Sequence, residues 1–341
     1  MSEPIAIPTN RDTDLIATAR PFIQTVLTEN NSKLSGAKKL RAINIIGVPL
    51  AYGASMAGVE LGPAALRVAR LKRRIAQLDY VVRDLGDIEV EQSQANPEPG
   101  SKLHYLKEIS DACIELAQKV EGVLAADELP LILGGDHSIA IGSLSGFASY
   151  CQSRNETPGL IWFDAHADMN TPETTPSGNI HGMPLAVLFG RGAPDLINIA
   201  GFAPKLDPKF CVHVGARDID AGERALISEL GVRFITMREI DERGMNACMD
   251  EAINVASQAS GGYAVTFDVD ALDPGDAPGS GTLVRGGLTY REAHLGMEKI
   301  AEAGGMRSLE VVEINTALDI NNKTAELGVE LILSALGKTI L

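Results

Sequence analysis

With 341 residues, 45% of them apolar, and 34 glycines, the chain can bury a substantial core, as one large α/β domain or as two ordinary ones. Its 45 acidic against 30 basic side chains leave a formal charge of −15, which argues against nucleic acid or an anionic membrane as partner and favours cationic ligands and metal ions. No apolar run approaches the ~20 residues of a membrane span. Glu3, Asp12 and Asp14 interrupt any basic-then-apolar leader, and Cys113, Cys151, Cys211 and Cys248 form no C-x-x-C pair, so the expectation is a cytoplasmic protein with reduced, buried thiols.

In chain order, residues 1–40 read as an N-terminal extension with a short helix over Leu15–Leu27, broken by Asn30-Asn31-Ser32 and Gly36. A strand over Ala42–Gly47 opens the main domain. It runs into a Gly-rich loop ending at Gly62-Pro63, where proline suits the first turn of a helix over Ala64–Leu78. That loop has neither G-x-x-x-x-G-K-[ST] nor G-x-G-x-x-G, so it is no phosphate cradle. A strand over Tyr80–Leu85, a polar linker over Glu91–Ser101 and a helix over Leu103–Ala126 follow. The strand Leu129–Leu133 then empties into G-G-D-H-S, with Ser138 predicted to cap a helix over Ile139–Tyr150. His137 is thereby placed at the C-terminal end of a strand, the edge of an open α/β sheet at which ligands bind.

The stretch from Ile161 carries the strongest chemistry. After the apolar Ile161-Trp162-Phe163, the residues Asp164, His166 and Asp168 alternate with alanines, and an extended backbone would point all three to one side as metal ligands. A second apolar strand, from Tyr263, ends in Asp268 and Asp270. Burying two like charges together is costly without a cation. Four aspartates and two histidines at three strand ends suit a binuclear site, and its oxygen-rich ligand set points to Mn(II) before Zn(II). A strand over Arg307–Asn315 brings Glu313 to the same edge, and a helix over Lys323–Lys338 closes the chain. Strands alternating with helices throughout predict a single α/β domain: a central parallel sheet with helices on both faces, in three layers. Taken alone, Asp218, Asp220 and Glu223 read as a capped helix start, Ser177-Gly178-Asn179 as a turn, and His104, His213 and His294 as structural.

The motifs G-G-D-H-S, D-A-H-A-D-M-N-T, S-G-N-I-H-G-M-P, F-D-V-D-A-L-D-P and G-G-L-T-Y-R-E, in this order, resemble the ureohydrolases, manganese enzymes that hydrolyse a guanidino group to urea and an amine. Asn170–Asn179, Gly215–Arg224 and Glu313–Asn315 are similar to the arginase family within that group. The resemblance implies a catalytic domain over residues 41–341 holding two Mn(2+), with Co, Ni or Fe as alternatives. One ion would take His137, Asp164, Asp168 and Asp268, the other Asp164, His166, Asp268 and Asp270. It further implies L-arginine as substrate, attacked at the guanidinium carbon by a metal-bridging hydroxide to give L-ornithine and urea. Asp168 would pass a proton to the departing amine, Glu313 would hold the guanidinium, His181 would shuttle protons, and Thr282 would lie beside the metal-bound solvent. Asn170, Ser177 and Asn179 would meet the α-carboxylate, and Asp220, helped by Asp218 and Glu223, the α-ammonium. A homo-oligomer, trimer or hexamer, is implied as well. Leu283, Arg285 and Asn315-Thr316 depart from the family pattern. Two alternatives stay open: a ureohydrolase for agmatine, guanidinobutyrate or formiminoglutamate, and a non-catalytic arginine-binding protein on the same scaffold.

Overall fold

The computed structural model describes residues 42–93 and 96–339, so the extension predicted for residues 1–40 and its helix lie outside the described residues. Eight strands form one parallel sheet: β1 Ile43–Val48, β2 Val82–Asp87, β3 Leu129–Gly134, β4 Gly159–Phe163, β5 Cys211–Ala216, β6 Arg233–Thr236, β7 Tyr263–Asp268 and β8 Met306–Val312, in the order β2-β1-β3-β8-β7-β4-β5-β6. Strands β1, β3, β4, β5 and β7 are buried along their whole length because both sheet faces are covered there, whereas the edge strand β2 is largely exposed. Ile161 and Phe163 of β4 pack with Val265 and Phe267 of β7 into a core shared with the helices Met245–Ala256, Tyr290–Ala303 and Lys323–Ala335. Leu160 and Trp162 point the other way, into a core shared with the helices Leu106–Ala125 and Ala140–Ser153. This period-two division produces the three layers expected from the sequence.

The helix expected over Ala64–Leu78 is two, Gly62–Val68 and Leu71–Ala76, with Arg70 between them at φ 64°. In one continuous helix Leu66 and Leu71, five residues apart, would face directions about 140° apart. The left-handed turn at Arg70 re-aims the second helix, and Leu66, Leu71 and Ile75 are all fully buried in the same core.

The four central strands, β3, β8, β7 and β4, are neighbours in the sheet. Their C-terminal ends therefore release His137, Glu313, Asp268 with Asp270, and Asp164 to Asp168 at one edge. Because β3 and β4 are consecutive in the chain but separated by β8 and β7, their connections diverge above the sheet and leave a crevice there.

Candidate metal centre and substrate cleft

The expected strand alternation of Asp164, His166 and Asp168 is not how they converge. β4 ends at Phe163, and Asp164–Asn170 is a loop in which Asp168 has φ 52°. Asp164 N still donates to Val214 O at 3.1 Å, continuing the pairing with β5, and Ala165 N donates to Asp270 Oδ1 at 3.1 Å. The chain then turns, and Leu185 N donates to Asp168 O at 3.0 Å. Asp268 is the last residue of β7, whereas Asp270 lies in the 3-10 turn Val269–Ala271, whose backbone N donates to Asp268 Oδ1 at 2.7 Å. Glu313 follows the end of β8 at φ 64°. Left-handed backbone at two non-glycine residues of one crevice is a local strain that the surrounding hydrogen bonds sustain.

His137 shows what this crevice is built to hold. Its Nε2 lies 2.9 Å from Thr266 Oγ1. Its Nδ1 lies 3.1 Å from Asp164 Oδ2, 3.2 Å from Asp168 Oδ2 and 3.3 Å from Asp268 Oδ2, yet makes a hydrogen bond with none of them. Asp168 Oδ2 is likewise buried without a partner. With Nε2–H donating to Thr266, the Nδ1 lone pair faces three carboxylates, an arrangement that is repulsive until a cation sits among the four atoms. The donor set, one imidazole nitrogen and three carboxylate oxygens, fits a divalent metal.

A second ligand set adjoins the first. His166 Nδ1 lies 3.0 Å from Asp270 Oδ2 and 3.5 Å from Asp164 Oδ1. His137, Asp164 and Asp268 form one group, and Asp164, His166 and Asp270 the other, with the ligand atoms of each group within 4.8 Å of one another. The two sets share Asp164 and fit a binuclear metal site. Burial works against the charge on His137, but the carboxylates outweigh it and hold the imidazole well above its usual range. Burial and the neighbouring Asp270 and Asp164 push the Asp268 carboxyl well up. Burial and Asp164 raise Asp168 to about 7. Without a cation, then, protons are what neutralise this cluster.

The supporting residues were not all legible in the sequence. The 3-10 turn His137–Ile139 is capped by Asp136, which accepts from Ser138 N at 3.0 Å; Ser138, expected as the cap, sits inside the turn and donates its hydroxyl to the same carboxylate. The reason is reach. Asp136 also accepts from Gly53 N at 2.8 Å, so it ties the loop after β1 to the loop after β3. Trp162 Nε1 donates to Asp164 Oδ2 at 3.0 Å, and its ring stacks on His137 with centroids 4.2 Å apart. Glu310, a carboxylate in the middle of buried β8, pairs in register with Thr266 and accepts from Ser143 Oγ at 2.5 Å. Arg217 donates to the carbonyls of Asp270, Ala271, Leu272 and Val284, pinning the loops after β7. An acid inside an apolar strand was the signal for Glu310; nothing local pointed to Arg217.

Above the ligand sets a cleft of about 200 Å³ is lined by His137, His166, Asp168, Asn170, His181, Gly182, Asp218, Asp220, Glu223, Asp268 and Thr282. Glu313 Oε1 accepts from His137 N at 2.9 Å and stands 3.0 Å from His181 Nδ1. Burial opposes the charge on His181, and Glu313 overrides it, lifting the imidazole to about 9. Thr282 Oγ1 donates to Asp270 Oδ2 at 2.8 Å. At the far end, Asp220 and Glu223 form a capping box on the helix Ala221–Leu230, so the helix-start reading of these acids holds. They also face the cleft: Asp220 Oδ2 accepts from Asn170 Nδ2 at 2.8 Å, and Glu223 Oε1 accepts from Met169 N at 3.2 Å. Ser177 and Asn179 stand off the cleft wall. Ser177 Oγ accepts from Asn179 N at 3.2 Å, and the Asn179 amide is engaged by His104 and Ser55.

His213 and His294 are buried away from the cleft, His213 stacked on Phe234 and His294 3-way packed with Tyr290 and Ser334 Oγ, the latter 2.8 Å from its Nδ1. All four cysteines are free and buried. No helix among the described residues is long and apolar enough to cross a membrane.

A model of the Arginase family matches residues 41–337. The chain is 46% identical to an arginase of Bacillus caldovelox over 303 residues, covering 89% of this chain and 100% of that one. It is also 46% identical to an arginase of Bacillus subtilis over 301 residues, covering 88% and 99%. Among solved structures, the native arginase of Bacillus caldovelox superposes with a TM-score of 0.85 at 46% identity, covering 89% of this chain and 100% of that one.

Proposed function

The chain belongs to the arginase family, and from that premise we propose that it hydrolyses the guanidinium group of L-arginine, giving L-ornithine and urea. The observation that carries this reading is the His137 imidazole nitrogen turned toward three carboxylates at the base of a cleft whose other end presents Asn170, Asp218, Asp220 and Glu223. His137, Asp164, Asp168 and Asp268 hold one cation and Asp164, His166, Asp268 and Asp270 the other, with Mn(2+) favoured by the oxygen-rich set. When bound, the two cations supply charge neutralisation and Lewis-acid activation of the attacking water.

The remaining work falls to the chain's own side chains. Glu313, already committed at Oε1, accepts guanidinium N–H groups at its other oxygen and holds the reacting carbon in place by a charge-assisted contact. Asp168 moves a proton to the departing amine nitrogen. His181, partly open to solvent, exchanges protons between the cleft and bulk water. Thr282 steadies Asp270. Asn170 on the cleft wall, with Ser177 and Asn179 from the loop behind it, receives the α-carboxylate, and Asp220 with Asp218 and Glu223 receives the α-ammonium. The net negative cleft draws in a substrate carrying two cationic groups. A cytoplasmic homo-oligomer, trimer or hexamer, completes the proposal.

The deciding experiment is urea release from L-arginine and agmatine by the Mn(2+)-loaded protein. Agmatine lacks the carboxylate and leaves its donors unpaired, and a site built around a polar group can reject the analogue lacking it by about 10⁴. We expect kcat/KM for agmatine to be lower by at least ~10³, with Ser177→Ala or Asp220→Ala narrowing the gap by harming arginine. Equal turnover of the two by the unmodified protein would move the assignment to another guanidino substrate.

A further inference from the structure

The amino-acid end of the cleft is held from behind by a segment with no role in the scheme above. Lys102 Nζ donates to Thr175 O at 2.8 Å, His104 N donates to Gly178 O at 2.9 Å, and His104 Nδ1 lies 3.1 Å from Asn179 Oδ1. The approach is close enough to require glycine at 178: at φ +86°, a Cβ there would sit 2.5 Å from Ser101 O and 2.9 Å from His104 Nε2. On its other side Asn179 Nδ2 donates to Ser55 Oγ at 2.6 Å. Asn179 also leads directly into the 3-10 turn Ile180–Gly182 that carries His181. One buried amide is thus oriented by two side chains, each far away in sequence.

We propose that His104 is a specificity-determining positioning residue, acting through Asn179 on the reception of the substrate's α-carboxylate; this rests on the arginine reading above. In the tautomer with Nδ1 protonated, His104 donates to Asn179 Oδ1 and so fixes which way the amide faces. The two amide N–H groups are then turned away from His104. One is spent on Ser55 and the other remains for an anion. Without the imidazole, Oδ1 loses its donor and the amide is free to turn over, offering an anionic group its oxygen in place of a hydrogen. Attraction becomes repulsion where, on the arginine reading, the α-carboxylate is received. A ligand that ends short of this wall does not feel the change.

The test uses the full-length, Mn(2+)-loaded protein with L-arginine and agmatine as paired substrates. A hydrogen bond to a charged group contributes enough that its partial loss lowers binding about tenfold. His104→Ala should lower kcat/KM for arginine by about tenfold, chiefly through KM, and leave agmatine within about twofold. His104→Asn, which returns a donor to the same side, should recover most of the loss. Ser55→Ala should act in the same direction without altering the histidine. An equal fall on both substrates, no fall with either, or no recovery in His104→Asn would overturn the proposal. If the unmodified protein shows no preference for arginine, the arginine reading falls and this inference with it; if it does prefer arginine and His104→Ala keeps the full preference, this inference alone falls.

Discussion

His181 Nδ1 stands 3.0 Å from Glu313 Oε1, and the same oxygen accepts from His137 N at 2.9 Å, so one carboxylate joins the proposed proton carrier to the loop that bears a proposed ligand. His181 contacts no cation-binding carboxylate directly. His181→Asn should therefore retain two metal ions per chain by elemental analysis while kcat falls by about 10²-fold or more, with partial recovery on adding imidazole. Loss of metal in the variant would instead make His181 a ligand.

Asp268 offers a contrast between metal-free and metal-loaded stability. Burial and the neighbouring Asp270 and Asp164 already keep its carboxyl well above the usual range, so the metal-free fold opposes its ionisation. Asp268→Asn removes a charge that burial and two neighbouring carboxylates already oppose, and the metal-free melting temperature should not fall. Cation affinity should fall by at least about 100-fold, since removing even an outer partner of a ligand costs 10- to 100-fold. Thermal unfolding with and without Mn(2+) reads both quantities; an undiminished metal-induced rise in Tm would reject Asp268 as a ligand.

What the sequence displayed, and what it withheld, divides by range. The apolar runs of β1, β3, β4, β7 and β8 are local patterns, and each was placed within a few residues. The ligand types were equally local, since acids and histidines at the ends of apolar strands are hard to explain otherwise. The geometry was not. Asp164, His166 and Asp168 reach one crevice through a loop with left-handed backbone at Asp168, not through strand alternation, because Asp270 and the Pro184–Leu188 helix bend the chain. The break at Arg70 depends on where the sheet lies beneath Leu66 and Leu71. His104 read as structural because its partner Asn179 is 75 residues away. Glu310 went unremarked in its apolar strand, because its meaning depends on Thr266 and Ser143 from other elements.

Away from the cleft, Arg233 and Arg243 share Glu251: Arg233 Nε lies 2.6 Å from its Oε1, and Arg243 Nη1 lies 2.6 Å from its Oε2. The Arg233 contact outweighs the opposing effect of burial and depresses the Glu251 carboxyl to about 2 from an ordinary 4.5. A lowered folded-state value means stability that is full above pH 4.5 and is lost as pH falls through 2. Glu251 is partly solvated, so the contribution is about 1 kcal/mol. Glu251→Gln should lower the urea midpoint at pH 7, and the gap from the unmodified protein should close as pH approaches 2. A gap independent of pH would assign the loss to packing.

Protons couple the two ligand histidines to metal binding. In the metal-free protein, burial opposes charge on both imidazoles and the facing carboxylates prevail, leaving His137 well above its ordinary 6.5 and His166 at about 12. A folded-state value raised in this way gives stability that is present below 6.5 and lost as pH rises through the folded value. Asp168, raised to about 7 by burial and Asp164, also makes the metal-free fold weaken as pH rises from 3.8 toward 7; within the ligand set Asp164, held low by the two histidines against burial, acts in the opposite sense, and below 3.8. Metal ligation needs both imidazoles neutral and the carboxylates ionised, so binding must expel these protons and tighten with pH. Thr266, by accepting from Nε2–H of His137, directs the expelled proton to be the one on Nδ1. Calorimetric titration of Mn(2+) into metal-free protein at pH 7, in two buffers of different ionisation enthalpy, should show about two or more protons released as both sites fill, and the metal-induced rise in Tm should be larger at pH 8.5 than at pH 6. Thr266→Val should weaken the first site about tenfold while leaving the second nearly unchanged. Binding without proton release would mean that the imidazoles are already neutral, and the cluster of carboxylates around His137 would then need another source of positive charge.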